Sequence, residues 1–271
     1  MKAAAYSVVL ILLSLYSVAQ QLPDGTVLPV ELGTAIRSGK ITLGETVSAK
    51  LAQYVDVDGM HLARGTRVSG RVLALGPGTN GAGQRVALAF DHIKIHGQEV
   101  PITTTLRALA STQEVFEAQL PTNAIDDYGT SIRDWNTTQI GGQTVYRGDG
   151  TVTHGLQVVG SASIVGEVFG KPEASPRSPC ARDRASDTVQ SFWVFSTDAC
   201  GIYGFDNLKL AHAGRSEPVG QIVLESSGKL DIRPGSGLLL VVISSGDPAP
   251  RSRADSQAAN LSSSIEAGTH P

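Results

Sequence analysis

Cys180 and Cys200 are the only two cysteines of the 271-residue chain. In an oxidising compartment such a pair forms a disulfide, here closing a loop of roughly 20 residues and contributing on the order of 3 kcal/mol if unstrained. The sharper alternative makes Cys200 a nucleophile with His212 as its base, which demands a free thiolate. A second cysteine at hand, in an exported chain, favours the disulfide.

Other spacings suggest chemistry that their surroundings do not support. His92 and His96 stand four apart, as metal ligands do on a helix, but on a strand that spacing puts their backbone origins about 13 Å apart. Asp56-Val57-Asp58-Gly59 opens like a calcium loop and lacks the downstream glutamate, so a turn is expected. Asp126, Asp127 and Asp134 could gather around calcium, although solvated loop carboxylates are the expectation. Gly76-Pro77-Gly78-Thr79-Asn80-Gly81 fits the spelling of a dinucleotide loop, yet a strand rather than a helix follows it. Ser226 and Lys229 have the spacing of a serine–lysine pair without its companion motifs. Arg147-Gly148-Asp149 reads as a turn. No catalytic residue, metal ligand or cofactor-binding residue is therefore expected, and no cofactor. The remaining candidates are aromatic: Tyr128, Trp135 and Tyr146 would line a groove for a glycan or small ligand, since sugar faces pack on rings with polar groups at the rim.

The elements that must position these residues are strands. Thirty glycines, thirteen prolines and 17% charged residues make the chain turn-rich, while 41% hydrophobic content is enough for a core. Val47, Ala49, Leu51, Val55 and Val57 share one parity and polar residues take the other, which is a strand period. Asp58-Gly59 and His96-Gly97 are hairpin turns, and Arg64-Gly65 is a corner. In Arg85 to Ile95 the apolar parity shifts from Val86, Leu88 and Phe90 to Ile93 and Ile95, which predicts a bulge near Asp91 or His92.

The expected fold class is all-β: an antiparallel barrel or sandwich over residues 22–170, with an insertion at about 110–138 containing a short helix from Ser111 to Gln119. Strands near 144–146, 157–159 and 164–169 would complete that domain. A linker or loop at 171–189 leads to a smaller, disulfide-tethered β unit at 190–245. There Phe192 to Phe195 and Val219 to Leu224 read as strands and Gly201 to Gly204 as a corner. The unbroken apolar run Leu238 to Ile243 predicts a strand covered on both faces. Residues 246–271 lack periodicity and are expected to be disordered.

Lys2, the apolar run Ala3 to Val18, and the small residues Ser17 and Ala19 predict a signal peptide over residues 1–19. The expected location is the periplasm or cell envelope, with secretion as the alternative. A net charge of −3 gives no footprint for nucleic acid. Expected partners are envelope proteins or further copies of the chain, with peripheral membrane association left open.

The stretch Thr26 to Gly70, within GTVLPVELGTAIRSGKITLGETVSAKLAQYVDVDGMHLARGTRVSGRV (Gly25 to Val72), resembles the carboxy-terminal β-barrel region of the TrbI/VirB10 family of conjugation and type IV secretion proteins. The matching features are the strand Thr26 to Leu32, the strand Gly44 to Leu51, and the hairpin from Asp58-Gly59 through Gly65-Thr66 to Gly70. The family's inner-membrane helix, proline-rich spacer and pore-forming helical hairpin have no counterpart. The resemblance thus implies a barrel used as an assembly scaffold, not a secretion channel. Residues 191–244 look like a domain of uncharacterised exported acidobacterial proteins, which implies export and no particular activity. Together these readings give a non-enzymatic envelope protein whose barrel serves assembly or protein interaction. The alternative is a secreted glycan- or small-ligand-binding module, and a hydrolase follows behind both.

Overall fold

The computed structural model describes residues 21–78, 81, 83–122, 135–174, 186–211 and 219–243. The expected signal peptide, Tyr128, Cys180, His212, the three insertion aspartates and the 246–271 tail lie outside them. Nine strands precede the helix: β1 (Val27–Leu32), β2 (Ile36–Arg37), β3 (Thr46–Leu51), β4 (Val55–Val57), β5 (Met60–Leu62), β6 (Arg67–Pro77), β7 (Gln84–Ile95), β8 (Gln98–Pro101) and β9 (Thr104–Ala110). Helix α1 (Thr112–Glu117) follows, capped by Ser111, whose Oγ accepts from the Glu114 N–H. Then come β10 (Asn136–Thr138), β11 (Thr144–Tyr146), β12 (Thr151–His154), β13 (Gln157–Ala162), β14 (Val168–Gly170) and β15 (Gln190–Ser191). The last five are β16 (Gly201–Tyr203), β17 (Leu208–Ala211), β18 (Ile222–Ser226), β19 (Asp231–Ile232) and β20 (Gly237–Val242).

The all-β expectation holds. A ten-stranded sheet runs β16-β9-β20-β1-β3-β6-β7-β18-β17, with β8 branching from β7. Its ends β16 and β17 meet, so the sheet curls into a nearly closed barrel. Every ladder in it is antiparallel except β16 on β9. The interior is filled: Leu28, Val30, Leu51, Val72, Phe90, Ile93, Leu106, Leu224 and Leu240 form one buried cluster, so the barrel is a packed core rather than a pore.

The hairpins fall where the turn residues place them. Asp58 and Gly59 both have positive φ (49° and 75°) and join β4 to β5; His96 and Gly97 (48° and 84°) join β7 to β8. Ser69 pairs with His92 and Gly70 with Phe90, leaving Asp91 as the extra residue of a bulge. That bulge lets Phe90 and Ile93 both face the interior despite their opposite parity.

The division at residue 170 is corrected. β20 pairs with β1 and β9, and β18 pairs with β7, so the later strands complete the barrel instead of forming a separate unit. Strands β10 to β15, expected to close the barrel, instead make their own six-stranded sheet. This sheet covers the barrel's outer surface at β1, β9 and β20. There Val27, Ala108 and Leu239 pack with Val145, Val152, Val168, Phe192 and Phe195 in a second cluster. Leu238 and Leu240 face the barrel interior while Leu239 faces this second layer, which accounts for the unbroken apolar run.

Two local expectations fail. Phe192 to Phe195 is a buried turn instead of a strand, and Gly201 to Tyr203 is a strand instead of a corner. Burial of the first comes from the layer boundary it fills. The second gains a partner, β9, that is remote in sequence.

Candidate functional site

Where the second sheet meets the barrel, a cleft of about 360 Å3 opens. Its walls include Gln53 from the barrel, Arg147 and Glu167 from the second sheet, Trp135, Trp193 from the buried turn, and Arg64 at the rim. The chain has two tryptophans, and both stand in this cleft. Ile164 and Val165, 47% and 70% exposed, form an apolar lip.

Trp193 is held under strain. Its φ of 53° lies in the left-handed region, rare for a bulky residue. Side-chain amides fix it: the Trp193 N–H donates to Gln53 Oε1 at 2.6 Å, and its carbonyl accepts from Gln139 Nε2 at 3.3 Å. Gln53 also accepts from the Val168 N–H and donates to the Val168 carbonyl, so one amide stands in for a strand neighbour. Gln143 serves Thr197 likewise, accepting from its N–H at 3.0 Å and donating to its hydroxyl at 2.6 Å. A turn with no ladder of its own thus has its backbone groups satisfied by glutamines.

Arg147 follows β11 directly. Its N–H donates to the Trp135 carbonyl at 3.1 Å, which sets the two residues side by side. Arg147 as a whole is 8% exposed. Its guanidinium donates to the Ser163 carbonyl at 3.3 Å and to Thr137 Oγ1 at 3.4 Å. Burial pushes its pKa down. Glu167 is tied to Ser163, whose hydroxyl donates to Glu167 Oε2 at 3.2 Å.

Of the aromatic residues expected to share a groove, Trp135 lines the cleft and Tyr146 does not. Tyr146 pairs directly with Asn136, so it points to the opposite face from Trp135 and stands exposed on the outside of the sheet. Tyr128 lies outside the described residues. Trp193, Arg147 and Gln53 were not expected here; a buried turn gives no periodic signal. The arginine of an Arg-Gly-Asp turn reads as solvated, and here the turn is closed by Asp149 Oδ1 accepting from the Thr151 N–H.

The remaining motifs resolve as structure. Ser226 Oγ accepts from Asn207 Nδ2 and the Gly228 N–H within a turn. His92 bonds Asp91 at 2.7 Å, and no cluster of three or more metal-ligating side chains occurs among the described residues. The loop after β6 joins it to β7 as a hairpin. Cys200 is not a free thiol. Its expected partner lies outside the described residues. No protein-family model matches the chain, and no curated protein matches it.

Proposed function

We propose that this is an exported binding protein in which a rigid, filled barrel supports a ligand cleft at its junction with the second sheet. The observation that carries this reading is the convergence of both tryptophans on one cleft. One of them is kept in a costly backbone conformation by buried amides. Indole rings lining a cleft with polar groups at the rim suit the stacking of a ring, with sugars the first class to consider. The cleft's size fits a ligand of one to three rings, near the lower end of the range of about 300–1,000 Å3 usual for small-molecule sites. The export expectation, the disulfide between Cys180 and Cys200, and the barrel-scaffold role implied by the TrbI/VirB10 resemblance are compatible parts of this proposal.

Because the two tryptophans are the only ones in the chain, tryptophan emission reports on the cleft alone. Titration with a panel of neutral and acidic oligosaccharides and small ring compounds should give a saturable emission change for at least one member. Trp135→Ala should abolish it. A panel that leaves the emission unmoved would contradict the binding reading.

A second reading, an envelope scaffold that engages other envelope proteins or further copies of itself, is favoured by one observation. Leu156 at the tip of the β12–β13 hairpin is fully exposed, with Val158 at 63% beside it.

A further inference from the structure

We propose that the cleft takes ligands bearing a carboxylate on a ring that stacks on indole, and that Arg147 is the residue that reads the carboxylate. This rests on the binding reading above and names its ligand class.

Arg147 is more than nine-tenths buried and lines the cleft. Buried charges are ordinarily paired, because removing a cation from water without a counter-ion is costly. Among the described residues, Arg147 makes no ion pair. Its hydrogen bonds there go to one carbonyl and one hydroxyl, at 3.3 and 3.4 Å, near the long limit for such contacts. Most of a five-donor fork is left for something that enters the cleft. A carboxylate matches that fork in charge and in its planar, two-oxygen geometry.

The surroundings suit the same occupant. Trp135 is held beside Arg147 by the backbone bond between them, so a ring bonded to Arg147 lies within reach of an indole face. Glu167 is the cleft's own carboxylate, but it is engaged by Ser163 and forms no ion pair with Arg147. Arg64 at the rim adds a second cation, leaving the lining with a net positive charge. A neutral ring would stack equally well and leave the guanidinium unanswered.

Two sources supply this chemistry, a uronate sugar and an aromatic carboxylic acid. Calorimetric titration of the exported chain with digalacturonate, 4-hydroxybenzoate and neutral cellobiose separates them. At least one of the two carboxylates should bind about tenfold or more tighter than cellobiose, the scale expected of a charge-assisted hydrogen bond. Which of them binds identifies the source. Its affinity should fall as salt rises. Arg147→Gln should remove the preference. Glu167→Gln leaves Arg147 in place and takes away a competing negative charge, so it should tighten carboxylate binding several-fold, whether or not Arg147→Gln folds. Cellobiose binding as tightly as the better of the two carboxylates, or carboxylate binding weakened in Glu167→Gln, would overturn the assignment while leaving the cleft a binding site. Absence of heat with all three, together with unmoved tryptophan emission, would remove the binding reading itself.

Discussion

Arg107→Ala is expected to cost this protein about 3 kcal/mol or more of stability, because two or more buried carbonyls lose their donor at once. Arg107 is 2% exposed on β9, between the apolar Leu106 and Ala108. Leu239 pairs with Ala108 and Leu240 with Leu106, so Arg107 is the extra residue of a bulge. The bulge aims the guanidinium at the second layer, as bulges re-aim side chains elsewhere. There Nε donates to the Ala199 carbonyl at 2.9 Å and Nη2 to the Thr197 carbonyl at 3.1 Å and to the Glu173 carbonyl. Thr197 keeps a second donor, the Glu173 N–H; the other two carbonyls belong to irregular chain with no ladder to replace the loss. In thermal unfolding the expected fall is roughly 6–12 °C, at about 2–4 °C per kcal/mol for a domain of this size. Arg107→Lys should recover only part of it, since one ammonium cannot reproduce a three-carbonyl fork. A Tm for Arg107→Ala within about 2 °C of the parent would show that the layers hold together without it.

Gln53→Ala should have the second-largest effect, about 2–4 kcal/mol, and should reach the cleft as well as the core. Gln53 is 1% exposed, and its amide serves the Val168 N–H, the Val168 carbonyl and the Trp193 N–H together. Val168 keeps the Phe192 N–H as a donor to its carbonyl, so the two N–H groups bear most of the loss. With its anchor gone, Trp193 is free to leave φ 53° for an ordinary conformation, and tryptophan emission should shift to the red as the indole gains water. Gln53→Leu separates the causes. It restores the side-chain volume without the hydrogen bonds, so it should be nearly as unstable as Gln53→Ala. Full recovery in Gln53→Leu would assign the effect to packing and contradict the anchoring role.

Local periodicity made the barrel's outline readable in the residues. Parity placed Asp91 at a bulge, positive-φ dipeptides placed two hairpins, and the run Leu238 to Ile243 announced a strand covered on both sides. What could not be read was which strand pairs with which. β20 closes the barrel against β1 from the far end of the chain, and nothing within either strand records the other. The site was only partly legible for a related reason. Trp135 could be singled out as a ring of the cleft, but Trp193 and Gln53 gain their places from a contact between segments more than 100 residues apart, and Arg147 gains its place from a turn that carries no periodic signal. Tyr146 shows the converse error. Sequence proximity to Trp135 counted for less than strand parity, which turns the two rings to opposite faces.

The most direct measurement is a crystal structure of the chain with the tightest-binding member of the ligand panel. The ligand's ring is expected against Trp135 or Trp193, with an oxygen within hydrogen-bonding distance of the Arg147 guanidinium. A ligand seated instead on the outer face of the second sheet, by Tyr146 and away from both tryptophans, would contradict it.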